Sequence, residues 1–283
     1  MQILENANAK INIGLKVLGK RADGYHEVDM LMQSIALADT LEIESADNLV
    51  LETDSIILNN DGAENLVLKA ARVLRAHTGC VKGAKIKLQK VIPIAAGLAG
   101  GSTDAAAALR GLNRLWQTGL SLSELEQLAT QIGSDVAFCV RGGTQRASGR
   151  GEILTPLVQL PQQNIVIYKP DFGVSTVEVY RGLNLDEIKD SFVMELLLRE
   201  LSTQDINKML PYMRNDLESV TIKTHPIIAQ IKKFMVDQGA SYAMMSGSGP
   251  SIFAITKSVD SAIDLSAKLQ ACFGGVAFVT YTL

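Results

Sequence analysis

Polar and apolar residues alternate along positions 10–17. Lys10, Asn12, Gly14 and Lys16 fall on one face, and Ile11, Ile13, Leu15 and Val17 on the other. Period two predicts a half-buried strand whose polar face presents Lys10 beside Asn12. A turn signal, Arg21-Ala-Asp-Gly24, leads to a second apolar run at 28–37, with short strand-like segments at 40–44 and 49–53. The period then changes. Over 65–77, Leu66, Ala70, Val73 and Leu74 share a helical stripe. Period two returns at 84–92 through Ile86, Leu88 and Ile92, and Lys90 falls in that apolar phase. Strand-end snorkelling and a ligand contact both account for a lysine there.

A run of small residues, 93–104, precedes a helical stripe of Ala105, Ala108, Leu109, Leu112, Leu115 and Trp116. Ser121-Leu-Ser-Glu124 reads as a capping box, and Gly133 is placed to end the helix it opens. Asp135 stands just before the apolar run 136–140. Two prolines flank a polar connection at 156–161, which predicts a division into domains 1–158 and 159–283. Beyond it come a strand at 164–168, helical segments across 175–221 and an amphipathic helix at 225–238. The tight turn Met245-Ser-Gly-Ser-Gly-Pro250 feeds a strand at 251–255, then a helix at 259–272 and a strand at 276–281. Two strands around a turn, then helix, then strand, predict an α+β fold.

Composition narrows the function classes. The 283 residues are 47% hydrophobic, which excludes wholesale disorder. With 27 basic and 30 acidic residues the net charge is −3, which argues against a nucleic-acid coat. Three scattered cysteines, Cys80, Cys139 and Cys272, form no CxxC pair and suit a reducing, cytoplasmic setting. The N-terminus lacks an apolar signal core, and no stretch of about 18 apolar residues is present to span a bilayer.

The strongest chemical signal is the glycine-rich loop Gly97-Leu-Ala-Gly-Gly-Ser102 before a helix. Glycines let the backbone approach an oxyanion, and the helix start aims free N–H groups at it. The hydroxyls of Ser102 and Thr103 add donors or a metal ligand. A plain helix start capped by Ser102 or Thr103 explains the loop equally well. Other motifs fail. The P-loop near-match at 14–21 has Arg21 where Ser or Thr is needed, no GxGxxG opens a helix, and His26, His77 and His225 are too scattered for zinc.

Three blocks carry a resemblance to the kinase superfamily of galactokinase, homoserine kinase, mevalonate kinase and phosphomevalonate kinase. They are Ala9-Lys10-Ile-Asn12 with Lys20-Arg-Ala-Asp-Gly-Tyr25-His26, residues 93–107, and Met245-Ser-Gly-Ser-Gly-Pro250. The first block is the most specific, and it resembles the family that phosphorylates 4-diphosphocytidyl-2-C-methyl-D-erythritol in non-mevalonate isoprenoid synthesis. The resemblance implies a two-lobed α+β kinase, with an N-terminal lobe like ribosomal protein S5 domain 2 and a ferredoxin-like C-terminal lobe. ATP and a small cytidine diphosphate substrate would meet between the lobes.

By the same resemblance, Asp135 would accept the proton of the acceptor hydroxyl and Lys10 would orient that carboxylate and offset charge. Asn65 and Lys90 would lie toward adenine. Pro93, Ala95, Ala96, Gly97, Leu98, Ala99, Gly100, Gly101, Ser102 and Thr103 would form the ATP loop. Cytidine would stack between Tyr25 and Tyr180, with His26 reading the base edge and Asn12 and Thr176 nearby. Ala99 stands where the superfamily commonly has glycine. Mg²⁺ is expected with ATP, held by phosphates, water and Ser102, and no acidic residue is marked by spacing as its ligand. Neither nucleic acid nor a membrane is expected as a partner, and oligomeric state stays open. The alternatives are a sister kinase for homoserine, mevalonate or a sugar, which has no need of a cytidine pocket, and a non-catalytic nucleotide- or RNA-binding relative.

Overall fold

The computed structural model describes residues 2–55, 65–188 and 193–283. The part of the helical expectation that covers 189–192 lies outside them. Two long strands open the chain, β1 (Gln2–Lys20) and β2 (His26–Ala46). The period-two reading of 10–17 holds, but both faces are covered: Lys10 is 4% exposed and Asn12 0%. The segments expected separately at 28–37 and 40–44 are one strand. Asp39 stays in it because its carboxylate accepts the backbone N–H groups of Val91 and Ile92, at 2.5 and 2.8 Å.

The chain clusters into two compact units drawn from interleaved segments. One takes in Met1–Ala9, Leu37–Ile94 and Ala99–Gly142. In it β3 (Leu49–Thr53) runs parallel to β4 (Gly83–Gln89), and β4 pairs antiparallel with Thr40–Ala46 of β2. Helix α1 (Leu66–Thr78) buries Val67, Ala70, Ala71 and Leu74, a stripe rotated from the expected one, with Leu66 and Val73 half-buried. Helix α2 (Gly100–Trp116) buries the whole expected stripe. Its small residues allow close packing. A Cβ on Gly111 would overlap Ile43, and the Trp116 indole N–H donates to the Gly83 carbonyl at 3.1 Å. Helix α3 (Leu122–Ala129) has the expected capping box but ends before Gly133, at a Thr130 cap. The apolar run after Asp135 is a short helix, α4 (Val136–Arg141).

The other unit takes in Lys10–Ala36, Ala95–Leu98 and Gly143–Leu283. Here β5 (Thr144–Gly149) pairs antiparallel with β2 and with β6 (Ile153–Pro156). Neither was legible in the sequence, because β5 is short and mostly polar and β6 is only four residues ending in proline. The rest is β7 (Asn164–Lys169), α5 (Thr176–Arg181), α6 (Met194–Leu201), α7 (Ile206–Met209), α8 (Glu218–Thr224), α9 (Ile227–Asp237), β8 (Tyr242–Met245), β9 (Ile252–Thr256), α10 (Val259–Phe273) and β10 (Val276–Tyr281). Their sheet is ordered β10-β7-β9-β8 with every neighbour antiparallel. A β-α-β-β-α-β order with that pairing is ferredoxin-like. Apolar residues on both faces of β7 and β9, including the fully buried Tyr168 and Phe253, explain why these two are the central strands. Among the described residues no helix is long and apolar enough to cross a membrane.

Candidate active site

The glycine-rich loop does open a helix, in a way its side chains alone do not announce. Ala99, the residue before α2, adopts φ 60° and makes no side-chain cap. Ala95 also lies at positive φ, 53°. A left-handed alanine costs roughly 1–2 kcal/mol, so the backbone path here is held against its own preference. Ser102 is therefore in the first turn of α2 rather than at its cap. Thr103 is not the free donor the sequence suggests. Its hydroxyl donates to the Asn8 carbonyl at 2.6 Å, and its N–H to the Ala99 carbonyl at 2.9 Å. The N–H groups of Gly100, Gly101 and Ser102 precede the first intrahelical donor, Thr103, and are the free donors at the start of the helix.

Beside this turn lies a buried ion cluster. The Lys90 ammonium contacts Asp39 Oδ2 and, at 2.7 Å, Asp104 Oδ2. The three side chains are 8%, 0% and 3% exposed. Lys90 is thus neither a snorkelling strand end nor a side chain reaching into solvent. Two carboxylates share one cation, and Asp104 Oδ1 is buried with no hydrogen-bond partner. Burial, opposed by Lys90 and reinforced by Asp39, pushes the Asp104 carboxyl up to about 7. Neither aspartate was singled out in the sequence. A charged residue in a buried strand phase (Asp39) and another inside an alanine run (Asp104) were the available signals. Asn65 caps α1, its Oδ1 accepting the Val67 N–H at 2.9 Å. Asp135 is half-buried at the start of α4, where its carbonyl accepts the Cys139 N–H and its side chain makes no cap.

In the other unit, Lys10 donates to Asn12 Oδ1 at 2.7 Å, and Asn12 Nδ2 faces the Met30 sulfur at 3.4 Å. The Lys10 N–H donates to the Leu98 carbonyl at 3.2 Å, which fastens the loop 95–98 to β1. The turn 246–250 closes on the same place. The Ser246 hydroxyl donates to the Gly97 carbonyl at 3.0 Å, and a Cβ on Gly97 would overlap the Ser246 carbonyl. A Cβ on Gly247 would lie 3.5 Å from Asn12 Oδ1 and 3.7 Å from Lys10 Nζ. The expected loop residues 95–98, Lys10 and the second glycine motif are therefore one assembly. Asp135 belongs to the first unit and Lys10 to the second.

This unit also gathers the aromatic residues. The rings of His26 and Tyr180 are tilted against each other, centroids 5.1 Å apart. The Arg150 guanidinium lies 4.9 Å from the centre of the Tyr25 ring, which is 55% exposed. Burial, with Lys20 nearby, holds the His26 imidazole below its ordinary value, so it is neutral at pH 7. Thr176 and Ser248 share a hydroxyl hydrogen bond of 2.7 Å.

Two family models match the chain. That for the GHMP kinases N terminal domain covers residues 65–143, and that for the GHMP kinases C terminal domain covers 194–275. Solved structures agree. A crystal structure of a 4-(cytidine 5'-diphospho)-2C-methyl-D-erythritol kinase superposes with a TM-score of 0.84 and 32% identity over 99% of both chains. A homoserine kinase from Cytophaga hutchinsonii, at 19% identity and a TM-score of 0.77 over 100% of this chain and 94% of its own, shares the fold. Among curated relatives, the 4-diphosphocytidyl-2-C-methyl-D-erythritol kinase of Bacillus pumilus is 45% identical over 98% of this chain and 93% of its own. That of Pelotomaculum thermopropionicum is 47% identical over 95% and 94%. With both motif blocks of the second unit assembled around Lys10 and near-full-length identity of this order, the chain belongs to the GHMP kinases and, within them, to the 4-diphosphocytidyl-2-C-methyl-D-erythritol kinase family.

Proposed function

We propose that the chain transfers the γ-phosphoryl of ATP to the 2-hydroxyl of 4-diphosphocytidyl-2-C-methyl-D-erythritol. The observation that carries this reading is the company Lys10 keeps: one compact unit holds Lys10 and Asn12, the turn at Gly247, and the aromatic set Tyr25, His26 and Tyr180. A kinase for mevalonate or homoserine has no nucleobase to stack. Here Tyr25 and Tyr180 flank the cytosine, neutral His26 donates to or accepts from its edge, and Thr176 lies beside it. Phosphoryl transfer needs positioning and charge stabilisation more than covalent chemistry. Asp135 takes the proton of the acceptor hydroxyl, and Lys10 offsets negative charge in the transfer.

The phosphates rest on the first-turn N–H groups of α2 and on the backbone of 95–101. Pro93 fixes the approach to that loop, and the Lys90 stem and Asn65 line the adenine side. Among the described residues, no group of three or more His, Cys, Asp or Glu is placed to hold a metal ion. Mg²⁺ would arrive on ATP, keeping several waters and phosphate oxygens and taking only one or two protein ligands. The half-buried Ser102 hydroxyl would supply one, and the ion would neutralise charge on the transferred group. The enzyme works in the cytoplasm. The two family-model matches fall one on each side of the expected 158/159 division, whereas the compact units interleave, the second taking in Lys10–Ala36 and Ala95–Leu98 together with Gly143–Leu283. The test is ADP release with a panel of acceptors. Turnover with the cytidine compound is expected, and turnover with mevalonate or homoserine alone would sink the substrate assignment.

A further inference from the structure

Asn215 stands far from every motif, yet it is wired to the glycine turn. It is 5% exposed. Its Nδ2 donates to two carbonyls of that turn, Met245 at 2.8 Å and Gly247 at 2.7 Å, and its Oδ1 accepts the Leu217 N–H at 3.0 Å. All the side chain's hydrogen-bonding capacity faces inward. The backbone on either side of it is laced to β1, the strand that carries Lys10 and Asn12. The Leu15 N–H donates to the Arg214 carbonyl at 2.8 Å, and the Asp216 N–H to the Leu15 carbonyl at 2.9 Å. The Asp216 carboxylate accepts the Val17 N–H at 2.8 Å. One amide thus fixes the turn relative to β1. The α-carbon of Gly247, directly on a carbonyl that Asn215 holds, faces Lys10 Nζ and Asn12 Oδ1.

We propose that Asn215 is a positioning residue for the phosphoryl transfer: by holding the Met245 and Gly247 carbonyls it sets the glycine turn against the Lys10–Asn12 pair. It touches neither substrate nor reacting atoms and acts through the turn. This rests on the kinase reading above for its kinetic readout but not for its structural one. A carboxamide is required. An aspartate of the same shape keeps the acceptor for Leu217 but turns a charged oxygen toward two carbonyl oxygens, and alanine leaves those carbonyls buried without donors.

The experiment compares Asn215→Ala, Asn215→Asp and Asn215→Gln with the parent protein in steady-state kinetics and in hydrogen exchange of the 245–250 segment. Displacing a positioned group by an ångström costs about 10²-fold. The folded variants are therefore expected to lose kcat by about that factor with KM for both substrates within about threefold, the split of an interaction realised in the transition state. Asn215→Gln keeps both donors on a longer arm, so it folds and shows the kcat loss even where Asn215→Ala does not fold. Exchange at the Gly249 N–H, which donates to the Ser246 carbonyl at 3.0 Å, should accelerate in each variant. Unchanged kcat in folded Asn215→Asp or Asn215→Gln overturns the proposal, as does a KM rise that accounts for the whole effect. A parent protein that turns over none of the acceptors counts against the kinase reading alone. In that case unchanged exchange at 245–250 overturns the Asn215 proposal, and local acceleration supports it.

Discussion

Replacing Asp104 by asparagine should make the protein more stable, and increasingly so as pH rises. Asp39 has the Lys90 ammonium and two backbone N–H donors, whereas Asp104 has Lys90, faces the Asp39 carboxylate and keeps an Oδ1 with no hydrogen-bond partner. A single cation does not fully offset two buried carboxylates, and burial, reinforced by the neighbouring Asp39, pushes the Asp104 carboxyl from an ordinary 3.8 up to about 7. A carboxyl with a raised folded-state pKa contributes stability that is fully present below the unfolded value and is lost as pH climbs through the folded one. The window is therefore pH 4 to 7. A displacement of about 3 in pKa, at about 1.4 kcal/mol each, is on the order of 4 kcal/mol. Asparagine is isosteric, keeps an oxygen for Lys90 and leaves a one-to-one Lys90–Asp39 pair. Melting of both proteins at pH 4, 6 and 8 should show nearly equal midpoints at pH 4 and an Asp104→Asn advantage on the order of 10 °C at pH 8. A difference that stays flat across this range would place the proton elsewhere and refute the reasoning.

Asp135→Asn should lower kcat by about 10²–10⁴-fold, the scale of a general base, with ATP affinity by calorimetry unchanged; near-parental turnover would remove Asp135 from that role. Gly101→Val should weaken ATP binding, because a Cβ there meets nothing closer than Leu66 at 3.6 Å and the branched group crowds the phosphate side instead. Unchanged affinity in the folded variant would reduce the loop to a helix start. Gly100→Val is the poorer probe, since its Cβ would come within 3.2 Å of Ile92 and 3.3 Å of Lys90 Nζ. Tyr25→Ala should raise KM for the cytidine substrate and spare kcat, while Tyr25→Phe keeps the ring and changes little; a kcat loss in Tyr25→Phe would show that the hydroxyl, not the ring, matters.

Local periodicity and turn chemistry were enough to place most elements. The alternation at 10–17, the stripe from Ala105 to Trp116 and the Ser121–Glu124 capping box all stand in the structure. Readings failed where a distant partner decided the outcome. The polar face of β1 is buried because the second glycine motif, more than 200 residues on, closes over Lys10 and Asn12. Thr103 looked like a phosphate donor because nothing local reveals that the Asn8 carbonyl takes its hydroxyl. Lys90 was visibly odd in an apolar phase, but its two aspartates lie 51 and 14 residues away. Strands β5 and β6 are not visible in the sequence because β5 is set by its pairing with β2, and β6 by its pairing with β5, rather than by their own composition.

Glycine shows the same limit in its sharpest form. Positive φ is the usual reason for glycine in a phosphate loop, yet Ala95 and Ala99 hold φ 53° and 60° here with a Cβ in place. Left-handed backbone alone therefore does not dictate glycine in this loop. Gly97, at φ 74°, differs from them in its neighbour: a Cβ would overlap the Ser246 carbonyl and lie 3.1 Å from that of Gly249. Those carbonyls belong to backbone that Asn215, Thr221 and the Ser246 hydroxyl already hold in place, so they cannot retreat as a flexible side chain would. Gly97→Ala should accordingly separate the loop 95–98 from the turn 246–250, and with it disturb the ground on which Lys10 and Asn12 are set. The same change at Gly119, also at positive φ but with open space around it, adds only backbone strain. Kinetics on the two variants therefore distinguish the explanations: close approach predicts a kcat loss at Gly97→Ala alone, whereas equal, mild effects at both positions would mean that conformation is all the glycine supplies.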